Sequence, residues 1–508
     1  MKKFKYFIIA GIILLTGCKK FLIEQPYSFN TPSKLLETPA AAESFMIGVY
    51  DHLNNTPNGK SYAGGMLVIA NFGTDDFTGR ALTSLQYSDF NNYTYTPVEE
   101  RFSLIWNNFY SAINQCSDII NNIPSSPLPD ALKTKLGAES KFMRAFFYFQ
   151  LVRMFGGVPL VTKETKSLDD LNTPRASIQD VYNLIIKDLT EAAPVLPEVS
   201  GTPVGRATKG AALALLTKVY LTIGSYGKYK SVPGYDWVNS ADAFAKTVST
   251  GNQVMNIADY SLVNSYQSIF EVETENGPEV IFSIQNEGSS LVKGEGSGLA
   301  NLFAPTFLND INTSKGGQGN ARPTKNLVNR YASTDTRKNW NIALIGYAGC
   351  NEVVQTQTYA GKFRKPCGFN GQHFSDPINF PLLRLADVML MVAEAEAEIN
   401  GGNATANGLA LVAKLAAKRY TVPPAPPTGN FLDFIFDERS RELCYEGQRW
   451  FDLARTGRLI NAVKSTQVTI STTVAGNNIK PTHYLFPIPQ NEIDNNSAIS
   501  NADQNPGY

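Results

Sequence analysis

The stretch 436–455, reading FDERSRELCYEGQRWFDLAR, holds the densest set of charged side chains in the sequence. Arg439, Arg441, Glu442, Glu446, Arg449 and Asp452 recur at three- and four-residue offsets, where side chains on one helix meet and pair. Such a cluster could bind an anion or a polar substrate. It could equally be a charged helix locked into its neighbours. Leu443, Trp450 and Leu453 supply an apolar stripe beside the charges, and the internal pairings favour the locked helix.

Other motifs with chemical potential lack their context. Asn58-Gly59-Lys60-Ser61 ends like a phosphate-binding loop, but Asn54 stands where the first glycine is required. Gly294-Glu295-Gly296-Ser297-Gly298 has no enclosing βαβ unit and reads as a loop. Glu394, Glu396 and Glu398 alternate along a predicted helix, so they cannot all share one face and are not read as a catalytic pair; they read as solvated or repeat-interface charges. No serine elbow or triad-like histidine is present, and nothing among the Asp and Glu residues selects a glycosidase pair. His52, His373 and His483 are scattered, and the five cysteines form no CxxC. A zinc site is not expected. Cys116 and Cys444 sit on apolar helical faces as buried thiols, while Cys350 and Cys367 flank one loop and leave a disulfide open. The reading is therefore non-enzymatic, with no cofactor and no metal. Basic and acidic residues number 45 each, so no basic field points to nucleic acid.

Helical periodicity dominates the elements around these motifs. Apolar residues spaced three and four apart predict helices over 41–53, 101–123 and 132–155, the last stopped by Gly156-Gly157-Val158-Pro159. Further helices are expected over 178–193, 208–223 and 240–250, with Ala211, Ala212 and Ala214 allowing close approach. This rhythm resembles tetratricopeptide repeats, although an unrelated helical bundle gives the same spacing. From 252 to 379 glycine and small polar residues take over, with an isolated strand at 279–284. Long loops of this kind usually carry function. Helices return over 382–399, 404–420 and 431–455. Trp106 and Tyr110 lie within a helix and read as core.

The N-terminus reads as an export segment. Met1-Lys2-Lys3-Phe4-Lys5 is basic, and the apolar run 6–15 is too short to cross a bilayer. Leu15-Thr16-Gly17-Cys18 resembles a bacterial lipobox, which predicts lipidation of Cys18; an ordinary secretory signal is the alternative. Residues 1–17 would be the lipoprotein signal peptide, 18–30 the lipid anchor and tether, and 31–508 a single body with halves at 31–225 and 265–508. The expected location is the outer membrane, lipid-anchored and facing outward.

With these pieces in order, FDERSRELCYEGQRWFDLARTGRL is similar to the C-terminal signature of the SusD/RagB family of nutrient-binding outer-membrane lipoproteins. GAESKFMRAFFYFQLVRMFGGVPLV (137–161), GRATKGAALALLTKVYL (205–221), FPLLRLADVMLMVAEAEAEIN (380–400) and HYLFPIPQNEIDNN (483–496) fit the same family, as do Cys18-Lys19-Lys20-Phe21-Leu22 and Asn505-Pro506-Gly507-Tyr508. The resemblance implies a mainly α SusD-like fold with degenerate tetratricopeptide-like helix pairs, irregular loops and a few short strands. It implies no catalysis. It implies a lid over a SusC-like TonB-dependent transporter that captures oligosaccharide or, in some members, peptide. A surface glycoside hydrolase is the reading from another class.

A sugar presents C–H groups that pack on aromatic faces, while neighbouring polar side chains bind its hydroxyls. Two regions offer that mixture. One is 71–95, with Tyr87, Tyr93 and Tyr95, where Asp76 and Arg80 are the positions the resemblance carries over. The other is the loop chain 226–237, with Tyr229 and Trp237, taken together with Trp340.

Overall fold

A computed structural model describes residues 31–53, 65–79, 85–163, 168–199, 202–286, 299, 321–346, 353–364, 376–466 and 474–508. The export segment with Cys18, the 58–61 and 294–298 motifs, Arg80, Cys350, Cys367 and His373 lie outside these residues. Short polar side chains start most of the longer helices by accepting a first-turn N–H, each worth about 1 kcal/mol. Thr38 caps α1 (Pro39–Asp51). Helix α2 (Glu100–Asn122) buries Phe102, Ile105, Phe109 and Ile113, as its periodicity predicts. Helix α3 (Asp130–Phe155) ends at Gly156, whose φ of 74° is a conformation other residues resist. Ser177 caps α4 (Ile178–Ala192), Thr208 caps α5 (Lys209–Tyr229) and Asn239 caps α6 (Ser240–Met255). Helices α7 (Leu385–Ile399), α8 (Ala406–Arg419), α9 (Phe431–Leu443) and α10 (Arg449–Arg455) complete the set.

From α2 to α8 each helix packs on the next in sequence, so the expected helix-pair rhythm is the architecture of the body. Close approach is built in where α6 meets α7. A Cβ on Gly251 would lie 2.3 Å from Val392 Cγ2, so glycine is required there. One connected apolar core extends from Leu36 to Ile499. Among the described residues no helix is long and apolar enough to cross a membrane. Cys116 and Cys444 are buried thiols.

Three expectations need correction. Helices α5 and α6 run past their expected ends, to Tyr229 and Met255, because Ser225, Tyr226 and Gly227 in one and Gly251 and Val254 in the other are also buried and extend the packed faces. The strand near residue 280 is not isolated. Val280–Ile284 (β2) pairs antiparallel with Phe380–Arg384 (β6), and α7 starts only at Leu385. Two further strand pairs join Phe77–Gly79 (β1) to Ala321–Pro323 (β3) and Ile342–Gly346 (β4) to Val353–Ala360 (β5). The 431–455 segment is two helices. Tyr445 and Gly447, with φ of 68° and 71°, turn the chain between α9 and α10.

That turn sends the charges of 436–455 outward to partners across the fold. Glu442 is fully buried and accepts from Arg337 Nη1 (2.9 Å), Arg384 Nη1 (2.8 Å) and Arg419 Nε (3.1 Å). Glu446 accepts from Lys362 Nζ (2.7 Å) and Arg384 Nε (2.9 Å). Arg439 bridges Asp387 and Asp452, Arg455 binds Glu394 and Asp452, and Arg449 reaches Asp75. Among the charges of 436–455, only Arg441–Glu438 and Arg455–Asp452 pair within one helix. Burial opposes ionisation of Glu442, but Arg419, Arg384 and Arg337 outweigh it and hold its carboxyl well below the usual range.

The C-terminus is fastened to the end of α3. Asn505 Nδ2 donates to Phe155 O (3.0 Å) and Phe486 O (2.7 Å), and Arg175 Nη2 donates to Phe155 O (3.0 Å). His483 packs against Tyr93, Tyr95 and Tyr508 there, and its Nδ1 accepts from the Lys480 N–H (2.9 Å). Burial, with Lys480 nearby, pushes its pKa down to about 4.

Two outcomes are expected. Glu442→Gln removes the one charge shared by three buried guanidinium groups and costs about 3–5 kcal/mol, read as a lower urea midpoint; an unchanged midpoint would contradict the network's role. His483 is neutral when folded and protonates more readily unfolded. Its contribution is complete above the unfolded pKa, near pH 6.5, and is lost as pH falls towards 4. His483→Asn keeps an acceptor for Lys480 and should flatten stability against pH in that window; an identical slope in both proteins would contradict the assignment.

Candidate ligand-binding site

The structure separates the aromatic and polar residues of the two candidate regions into buried and accessible sets. Asp76 is 2% exposed. Its Oδ1 accepts from Arg330 Nη1 (2.6 Å) and Ser440 Oγ (2.7 Å). Its neighbour Asp75 accepts from Arg449 Nε (2.8 Å) and Arg330 Nη2 (2.6 Å). Burial opposes the Asp75 charge, but Arg449 and Arg330 hold it well below the usual carboxylate range. At Asp76 burial prevails, helped by the Asp75 charge, and the pKa is raised. Asp76 is therefore a member of the buried ion network and not a surface ligand group.

Tyr93 and Tyr95 are corrected for the same reason. Tyr93 sits in the left-handed region (φ 57°), is 4% exposed, and donates its hydroxyl to Gly73 O at 3.0 Å. Tyr95 is 5% exposed and packs among Phe90, Phe102, Phe486 and Tyr508. Both are core residues, and removing either ring would open a cavity before it touched any ligand. Trp106, also 2% exposed, donates Nε1 to Glu492 and is core as its helical setting predicts.

Four of the expected residues are half-buried rather than buried. Tyr87 is half-buried, stacked on Phe72 with centroids 5.5 Å apart, and the Arg101 guanidinium lies 5.1 Å from its ring. Tyr229 closes α5 and donates its hydroxyl to Glu398 Oε1 on α7 at 2.7 Å; burial and that carboxylate raise its pKa. Eight residues on, half-buried Trp237 donates Nε1 to Gly234 O at 3.0 Å. Ser231 Oγ ties the same loop to Ala454 O on α10 (2.7 Å).

Trp340 is the most firmly positioned of the four. It lies on a short helix, Arg337–Asn341, that leads into β4. Three residues before it, buried Arg337 is bound by Asp335, Glu438 and Glu442. One residue after it, Asn341 Nδ2 donates to the Tyr331 hydroxyl at 2.9 Å. The indole Nε1 donates to Lys362 O (3.1 Å), just beyond β5. Arg364 lies over the ring at 4.1 Å and donates to the Asn339 and Trp340 carbonyls, each at 2.9 Å. Asn339 is exposed and Trp340 is half-buried.

A fixed, half-buried indole with Arg364 over the ring and an exposed amide next to it joins an aromatic surface to polar groups, the combination that binds a sugar's C–H face and hydroxyls. Trp237 and Tyr229 are both half-buried and bracket the loop that follows α5. Among the described residues no ring contact joins any two of Tyr87, Tyr229, Trp237 and Trp340. Sequence reasoning missed Arg364 and Arg101, because only tertiary contacts put those cations over rings remote in the chain. Glu394 and Glu398 are taken up by Arg455 and Lys228, consistent with interface charges.

Comparison with known proteins gives one consistent result. Residues 355–508 match the SusD family, and residues 20–221 match a family described as starch-binding and associating with the outer membrane. A SusD-like protein, P2, of Formosa agariphila is 25% identical over the full length of both chains. The starch-binding protein SusD of Bacteroides thetaiotaomicron is 25% identical over 75% of this chain and 74% of its own. A crystal structure of a SusD homolog from Bacteroides thetaiotaomicron superposes with a TM-score of 0.79 at 22% identity, covering 93% of this chain and 97% of that one. With two family matches in chain order, full-length relatives and the same fold, the chain belongs to the SusD family.

Proposed function

We propose that this chain is a non-catalytic glycan-binding lipoprotein of the outer membrane that passes oligosaccharide to a SusC-like TonB-dependent transporter. The family match described as starch-binding and associating with the outer membrane supports the ligand class and the location. The starch-binding relative points the same way. The observation that carries the reading to particular residues is Trp340, whose partly exposed ring is fixed by Lys362 O and Arg364 beside exposed Asn339. Carbohydrate recognition needs such a rigid aromatic face, because a flexible one loses entropy on binding. Tyr229 and Trp237 form a secondary surface, and Tyr87 a third.

In this reading residues 18–30 are the tether and 31–508 the binding body. Cys18 carries the lipid. One acyl chain gives only marginal anchoring, so more than one is needed for stable attachment. A tether of this length would hold the body beside its barrel while leaving it free to open and close.

Isothermal titration of the mature protein against α- and β-glucan oligosaccharides tests the ligand class, with oligopeptides as the comparison. Trp340→Ala or Trp237→Ala should weaken glycan binding about tenfold or more, at least ~1.4 kcal/mol, with the thermal midpoint little changed. Unchanged affinity in both variants would remove this site, peptide binding alone would change the ligand class, and released sugar products would end the non-catalytic reading. Cys18→Ser should yield a protein that still binds ligand but leaves the membrane fraction and no longer supports uptake. Continued membrane retention would overturn the anchor.

A further inference from the structure

An asparagine followed by glycine is open to attack by its own chain, because glycine puts no Cβ between the next backbone nitrogen and the side-chain amide. The sequence has five such pairs, beginning at residues 58, 276, 370, 400 and 407. The structure describes Asn276, Asn400 and Asn407. Two of these are held. Asn276 accepts from Ser283 Oγ (2.9 Å) and Gln285 Nε2 (3.0 Å) and donates to Gln285 Oε1 (3.0 Å), so both ends of its amide are fixed. Asn407 lies in the first turn of α8 and donates Nδ2 to Glu396 Oε1 at 2.7 Å. The Gly408 nitrogen that would attack it donates to the capping Thr405 Oγ1 at 2.9 Å.

Asn400 is held far less. It is the exposed residue that ends α7, with φ −90° and ψ 26°. Its Nδ2 makes only long contacts, to Asn403 O (3.4 Å) and Ala404 O (3.3 Å). Among the described residues the Gly401 N–H has no acceptor. Gly401 and Gly402 have φ of 67° and 91°. A Cβ on Gly401 would meet nothing nearer than Asn403 Nδ2 at 3.9 Å, so the turn has space to move. Bringing the Gly401 nitrogen to Asn400 Cγ means turning ψ of Asn400. The bonds that oppose this are Gly402 N–H to Ala397 O (2.8 Å) and those from Asn403 N (3.3 Å) and Nδ2 (3.1 Å) to Asn400 O. All lie at a surface helix end, where water replaces them at a net cost of about 1 kcal/mol each.

We propose that Asn400 is a site of spontaneous deamidation in the folded protein, with the Gly401 nitrogen as nucleophile. Hydroxide takes the Gly401 amide proton, and the nitrogen forms a bond to Asn400 Cγ. The Cγ–Nδ2 bond breaks, and Nδ2 leaves with a proton from solvent as ammonia. Water then opens the cyclic imide at either carbonyl to give aspartate or isoaspartate. One water is taken up, one ammonia is released, and nothing is oxidised or reduced. The new carboxylate stands at the negative end of the α7 dipole, two residues from Glu398, which holds Lys228 and Tyr229.

The full mature protein should be incubated folded at mildly alkaline pH, digested, and mapped by fragmentation mass spectrometry for replacement of NH by O. Residue 400 should convert about ten to a hundred times faster than 276 and 407, because attack proceeds only from conformers with the reacting atoms ~3–3.5 Å apart. In denaturant, where the fold holds none of the three, their rates should converge. Equal rates in the folded protein would overturn the proposal, as would the same spread of rates in denaturant. Asn400→Gln, whose longer side chain closes the ring poorly, should stop conversion at residue 400 and leave 276 and 407 unchanged. Conversion persisting at that residue would also count against it.

Discussion

Three guanidinium groups, from Arg337, Arg384 and Arg419, converge on the buried carboxylate of Glu442. Taking any one of these ions out of water alone costs several kcal/mol, so each is tolerable only while the others are in place. The node therefore acts as an all-or-none constraint. It fixes α9 against α8, against the strand β6 that carries Arg384, and against the short helix that begins at Arg337. Glu446 extends it to Lys362, while Arg439, Arg449 and Arg455 extend it to α7 and to Asp75. Cation and carboxylate come from distant parts of the chain at most of these contacts.

The accessible rings inherit their rigidity from this network. Trp340 stands three residues from Arg337, and its indole N–H is held by the carbonyl of Lys362, itself bound to Glu446. Tyr229 is held by Glu398 on α7, one turn beyond the glutamate that binds Arg455. A ring positioned in this way loses little freedom when a ligand stacks on it, so more of the contact energy is available for binding.

Much of the helical body was legible because its signals are local. Apolar spacing located α2, α3 and α4 within a residue or two at most ends, and Gly156 stopped α3 as expected. The failures share a cause. The extension of α5 to Tyr229, the pairing of β2 with β6 and the break at Tyr445 all depend on partners far away in sequence. The site fared worse: Asp76, Tyr93 and Tyr95 look like a sugar-binding cluster in a polar stretch, yet each is covered by segments hundreds of residues away.

By itself, the sequence determined the helix rhythm, the family signatures, the burial of Cys116 and Cys444, and the structural role of 436–455. The rhythm and the buried thiols follow from periodicity and capping, and the signatures from residue identities in their order; the same-helix offsets within 436–455 pointed to pairings that the break at Tyr445 and partners across the fold replaced. Tertiary structure alone decided which cation answers which carboxylate and which aromatic rings reach the surface. Composition places tyrosine, tryptophan and aspartate equally well in a core or on a binding face. The choice rests on what packs over them, and that is settled only when remote segments close.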